Sequence, residues 1–89
     1  MASEELKASW ERTERHLRAA LVHQKLPHDA ATTAAEFIEH NEFGVAFEYV
    51  VSLLVERGIA LDAEAQASFA AAAAEMGLQD NSDWIALNR

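Results

Sequence analysis

The chain has no cysteine, one proline and three glycines, and beyond residue 28 only two of its side chains are basic. Each shortage excludes something. Without cysteine there is no disulfide framework, no thiolate nucleophile and no thiolate metal site, which fits a reducing compartment. The start of the chain, Met1-Ala2-Ser3-Glu4-Glu5, is acidic and polar, unlike the basic and then apolar opening of a secretory signal. A cytoplasmic protein is therefore expected. No apolar run approaches the roughly 20 residues needed to span a bilayer. Helix breakers are scarce, whereas alanine, the best helix former, occurs 19 times in 89 residues. The expectation is an all-α fold: a small irregular four-helix bundle with a short fifth C-terminal helical turn. It forms one domain over residues 1–89, with no linker or internal repeat. A compact chain of this length has a radius of gyration of roughly 12 Å.

Charge is unevenly spread. The net charge is −8, but residues 1–28 hold five bases against four acids, while residues 29–89 hold two bases against 11 acids. Nucleic-acid binding rests on basic side chains meeting phosphates, so the acidic stretch argues against nucleic acid and against an anionic membrane surface. A basic protein surface is the partner such a field attracts.

Apolar spacing places the helices. Ser3 is a natural N-cap for a helix over 4–25, with Glu4 and Glu5 at the positive end of its dipole. Leu6, Trp10, Leu17 and Leu21 make one narrow stripe. Glu11–Arg15 and Glu14–Arg18 sit at i,i+4 in the favourable order. Leu26-Pro27-His28 breaks the chain, and Asp29 is the expected cap of a second helix over 30–40, with Ala34, Phe37 and Ile38 inward. Asn41 serves as stop and as the next N-cap. A third helix over 42–57 is apolar around most of its circumference, so neighbours must cover it on most sides. Gly58 supplies its left-handed end. Asp62 is the expected cap of a fourth helix over 63–76, its stripe Phe69, Ala72, Ala73 and Met76, and Gly77-Leu78 fits a Schellman end. Ser82 is the expected cap of a final turn over 83–87 anchored by Trp84, Ile85 and Leu87.

Little here has the pattern of a reaction centre. His16 and His23 lie seven apart with His28 beyond the proline, and Glu36 precedes His40 by four. Zinc needs three or four ligands in tetrahedral placement, and a bundle di-metal site wants Glu-x-x-His on two helices, which His40 misses by one step. Glu36 and Glu39 lie on a polar helix face, with no pocket implied for acid–base work. No serine sits in a Gly-rich elbow and no glycine run cradles a phosphate. We expect no catalytic residue, no metal and no cofactor.

The constellation that stands out is a binding one. Glu36, Glu39, His40 and Glu42 gather where the second helix meets the third; Glu48 and Tyr49 lie further along the third; Asp62 and Glu64 open the fourth. Tyr49 falls off the main apolar stripe, and Tyr and Trp are frequent interface anchors, so Tyr49 and Trp84 are the aromatic residues to watch. Two of these residues also have local structural uses. Glu42 suits a helix N-terminus, and His40 can bond the last carbonyls of the second helix.

The run from Glu36 to Leu61 has a further property. His40, Glu42, Phe43 and Ala46 form an H-x-E-aromatic-x-x-A core. Leu53 and Leu54 follow in a Leu/Val-rich helix, then Gly58 and the exit Ile59-x-Leu61, and later Glu75-Met76-Gly77-Leu78. This pattern resembles the MafI-family immunity proteins of bacterial polymorphic toxin systems, over about residues 34–78. The resemblance implies a small cytosolic, non-enzymatic protein that binds and neutralises a cognate toxin domain. The charge sign suits a toxin with a basic cleft, such as a nuclease. The long first helix, with Arg12, Arg15 and Arg18, lies outside the match.

Two other classes stay open. A dimeric helical adaptor or scaffold, with no toxin partner, would use the Leu6-Trp10-Leu17-Leu21 seam as a pairing face. A nucleic-acid mimic would use its acids as phosphate surrogates and bind many proteins rather than one. Monomer and homodimer are both compatible with the sequence.

Overall fold

Ser3 caps the first helix, its hydroxyl accepting the Leu6 N–H at 3.1 Å. The computed structural model describes residues 3–89. Five helices follow in order: α1 (Glu4–His23), α2 (His28–Glu39), α3 (Phe43–Arg57), α4 (Ala63–Met76) and α5 (Ser82–Leu87). No strand occurs among the described residues, and the fold is all-α. The radius of gyration is 12.4 Å and the extents are 41 × 26 × 20 Å. No helix among the described residues is long and apolar enough to cross a membrane.

The helices pair as α1 with α4 and α2 with α3, and α5 lies on α3. Near the start of α1, Ser9 and Arg12 reach Glu75 at the end of α4; just past the end of α1, Gln24 reaches Asp62 just before α4. The two helices therefore run antiparallel. Alanine makes their approach close, because Ala20 on α1 and Ala65, Ala72 and Ala73 on α4 are fully buried and carry only a methyl group. As its sequence demands, α3 touches all four other helices, burying Phe47, Val51 and Leu54 completely.

Trp84 is one of the residues singled out as a surface anchor. It is instead a core residue, 4% exposed. Its ring stands 5.7 Å from Phe47 and 6.3 Å from Phe69, and those two rings meet edge-on at 6.3 Å. Three tilted rings from α3, α4 and α5 thus fill one end of the interior, in the geometries that aromatic quadrupoles prefer. The last turn is tied to the bundle by this ring, with Ile85 left exposed.

Several helix ends differ from expectation. α1 stops at His23, because Gln24 turns extended and its side chain goes inward. α2 starts two residues earlier than the Asp29 cap implied. Pro27, with φ −56° and ψ 147°, occupies the cap position, and Asp29 lies inside the first turn. Asp29 Oδ1 accepts the Ala30 N–H instead. Asn41 does stop α2, but it does so from the left-handed region at φ 60°. Its N–H donates to the Ile38 carbonyl, and the Glu42 N–H donates to the Phe37 carbonyl at 2.8 Å, which is a Schellman closure. The cap position of α3 therefore falls to Glu42, whose side chain makes no capping bond. Gly58 and Gly77 close α3 and α4 in the same way, with Ile59 and Leu78 donating back to Leu54 and Ala73. Asn81 rather than Ser82 caps α5, its side chain accepting the Trp84 N–H at 3.0 Å.

The stripe of α1 is only half used. Leu17 is buried and Leu21 packs against the core, but Leu6 and Trp10 remain 44% and 48% exposed. Thr13 takes the buried position between Trp10 and Leu17, with its hydroxyl donating to the Ser9 carbonyl. Glu14 and Arg18 form the expected ion pair at 2.8 Å. Among the described residues Glu11 and Arg15 form none, while Arg12 crosses to Glu75 at 2.6 Å.

Candidate protein-docking surface

The Schellman closure at Asn41 turns the chain sharply and sets the α2–α3 corner. Glu36, Glu39, His40 and Glu42 are all exposed there. His40 is tied to the corner itself: Nδ1 donates to the Glu36 carbonyl at 2.7 Å, which leaves Nε2 as its outward atom. Among the described residues Glu36, Glu39 and Glu42 take part in no ion pair. Three carboxylates outside any ion pair within seven residues make this corner negative.

A groove adjoins it. About 480 Å³ in volume, it runs between the outer face of α3 and the approach to α5. Its floor is the pair Phe37 and Tyr49, whose rings meet edge-on with centroids 5.7 Å apart. Glu48, Asp83 and the exposed Val45 line its sides. Helical spacing explains the grouping: Val45, Glu48, Tyr49 and Ser52 follow at i, i+3, i+4 and i+7 along one outward stripe of α3. A half-buried aromatic floor between carboxylates suits the aliphatic stem and cationic head of an incoming Lys or Arg.

Asp62 and Glu64 do not join this surface. They open α4, beside the link that follows α1, whereas the α2–α3 corner lies near the start of α1 and the end of α4. Glu64 is exposed there. Asp62 is half-buried and already engaged, its Oδ2 accepting the Lys25 N–H at 2.7 Å and its own N–H donating to Gln24 Oε1 at 2.9 Å. It makes no side-chain capping bond to α4. The eight residues picked from sequence thus divide between two ends of the bundle.

A second groove, of about 370 Å³, lies on the other side of the first turn of α3. Leu6 and Trp10 form one wall, Met76 and Leu78 another, and Phe43 and Gly44 the base. Glu48 and Glu75 also line it. Glu75 is held below the ordinary carboxyl range, first by the hydrogen bond from Arg12 and then by that from Ser9 at 2.8 Å. The same bond raises the Arg12 guanidinium above its usual value. Glu75 therefore stays ionised in weakly acidic solution. Sequence reasoning missed Glu75 and Asp83 as surface elements and placed Trp10 only in a pairing seam with Leu17 and Leu21, because each depends on which helix lies opposite.

Among the described residues no group of three or more His, Asp or Glu stands close enough to hold a metal ion. No protein-family model, curated protein or solved structure matches this chain.

Proposed function

We propose that the protein is an immunity protein: a non-enzymatic inhibitor that binds one cognate toxin domain through its acidic face and blocks it. The observation that carries this reading is the surface at the start of α3. Unpaired carboxylates of Glu36, Glu39 and Glu42 stand beside a groove with an aromatic floor and acidic sides, in a chain of net charge −8. Such a surface is complementary to a basic cleft, speeds encounter with it, and offers Tyr49 as an anchor. The resemblance of residues 34–78 to MafI-family immunity proteins supports the same reading. His40 and Glu42 of that pattern lie exposed at the corner, while Phe43, Ala46, Leu53 and Leu54 are buried along α3.

The test is co-expression in bacteria with the C-terminal domain encoded by the adjacent upstream gene. Rescue of viable counts, with a complex that co-purifies, is the expected outcome. The triple variant Glu36→Lys, Glu39→Lys, Glu42→Lys should lose rescue and flatten the salt dependence of binding while keeping its helical signal. If the wild-type chain does not protect, the reading is wrong. A dimeric adaptor then takes its place, favoured by the exposed Leu6 and Trp10 on α1.

A further inference from the structure

Gly44 occupies the first turn of α3 in ordinary helical conformation, and a Cβ built on it meets nothing within 4 Å. Neither backbone geometry nor packing in the free protein calls for glycine here. Glycine in a helix is nevertheless a costlier choice than alanine, because it loses more freedom on folding. The two other glycines differ, since each sits at positive φ at a helix end. What Gly44 does have is a place at the base of the Leu6–Trp10 groove.

That groove has the makings of a contact. Trp10 is the most exposed aromatic side chain of the described residues and stands one helical turn from exposed Leu6. Met76 and Leu78 face them from the end of α4. Large apolar side chains in a concave, half-exposed setting are what interface hot spots are made of. The border is negative. Glu48 supplies that charge, exposed and unpaired among the described residues, while Glu75 is offset by its ion pair with Arg12 at 2.6 Å and accepts from Ser9 on its other oxygen. A second copy of this chain would bring the same negative border and another net −8 to the contact. Charge complementarity therefore selects a different protein.

We infer that this groove is a second docking site for the same partner, taking an apolar side-chain cluster flanked by Lys or Arg, and that Gly44 lets this cluster reach the α3 backbone. The inference rests on the immunity reading for the identity of the partner. Glu48 borders both grooves, so one continuous footprint straddles the first turns of α3, with the Tyr49 floor on one side and the Trp10 wall on the other. Apolar anchoring in the Trp10 groove supplies residence time, and the acidic corner supplies the encounter rate.

The experiment uses the full chain and the same upstream-encoded C-terminal domain, by co-expression and by titration of the purified domain. Gly44→Phe puts a ring into the groove from a position where a Cβ meets nothing within 4 Å in the free protein. It should keep its melting temperature, yet lose rescue and lower affinity about tenfold or more. Trp10→Ala should behave alike, mainly through faster dissociation. Glu48→Lys should weaken binding and reduce its salt dependence. If the wild type protects and folded Gly44→Phe protects equally, the groove is not a docking site and the immunity reading stands. If the wild type neither protects nor binds, the immunity reading fails and this inference fails with it. If sedimentation shows a dimer that Gly44→Phe dissolves, a second copy is the occupant and the inference is overturned.

Discussion

The Gln24 side chain joins two links of the bundle that are 38 residues apart. Its Oε1 accepts the Asp62 N–H at 2.9 Å, and its Nε2 donates to the Ala60 carbonyl at 3.0 Å and to the Lys25 carbonyl at 3.1 Å. Asp62 completes the ring by accepting the Lys25 N–H. The end of α1 and the start of α4 are thus held by side-chain amides and carboxylates rather than by apolar contact alone. Gln24 is 5% exposed, and deleting it leaves three part-buried backbone groups without their partner. Gln24→Ala should cost about 1–3 kcal/mol in urea unfolding. Gln24→Glu keeps the acceptor, loses both donors and sets a negative charge against two carbonyls. It should cost more, and less so at low pH. Neither change should alter partner affinity once the protein is folded, which titration at low temperature would check.

The two tryptophans should separate cleanly. Trp84 closes the ring cluster with Phe47 and Phe69, so Trp84→Ala should remove about 3–5 kcal/mol by opening a cavity. Trp10→Ala removes a half-exposed ring and should cost under about 1 kcal/mol. Denaturant melts of the two variants give both numbers.

Glu75 gives a pH dependence of defined sign. Its folded carboxyl is held low by Arg12 and then by Ser9. The stabilisation is therefore full above the unfolded glutamate range near 4.3 and fades as pH falls through the lower folded value. Melting temperatures of wild type and Glu75→Gln should differ at pH 6, and that difference should shrink steadily below about pH 4. A gap that widens in acid would reverse the assignment.

Asn41 is the only residue other than glycine at positive φ among the described residues. Asn41→Gly should hold or raise stability, since glycine carries no penalty there. Asn41→Ala should lose about 1 kcal/mol, the cost of a Cβ in the left-handed region. Thermal melts of the pair test whether this corner is set by backbone conformation.

The helices themselves were legible, because their signals are local. Gly58 and Gly77-Leu78 announce their own helix ends, and the apolar circumference of residues 42–57 announces a central helix. Asn41 shows where local reading stops. Asparagine is common both as an N-cap and as a left-handed terminator, and only the bonds from Asn41 and Glu42 back to α2 decide between them. Asp29 and Asp62 have the composition of caps; Pro27 takes the cap position from Asp29, while Asp62 holds the cap position of α4 but gives its carboxylate to the Lys25 N–H. The stripe Leu6-Trp10-Leu17-Leu21 is a true helical face, but α4 ends before it covers the first half. The exposure of Trp10 follows from that length mismatch, and no spacing rule states it. The acidic corner was legible as a cluster. Its split from Asp62 and Glu64 required knowing that α1 and α4 run antiparallel.

The pairing of α1 with α4 has a consequence during synthesis. The helix that leaves the ribosome first lacks its main partner until residues 63–76 have followed it out. At ~5–20 residues per second the wait lasts several seconds. Over that interval Leu17 and Leu21 have no alanine face to rest on, while the nearer pair α2 and α3 closes locally. The nascent chain therefore offers chaperones and proteases its own beginning until α4 brings the buried side chains of Ala65, Phe69, Ala72 and Ala73.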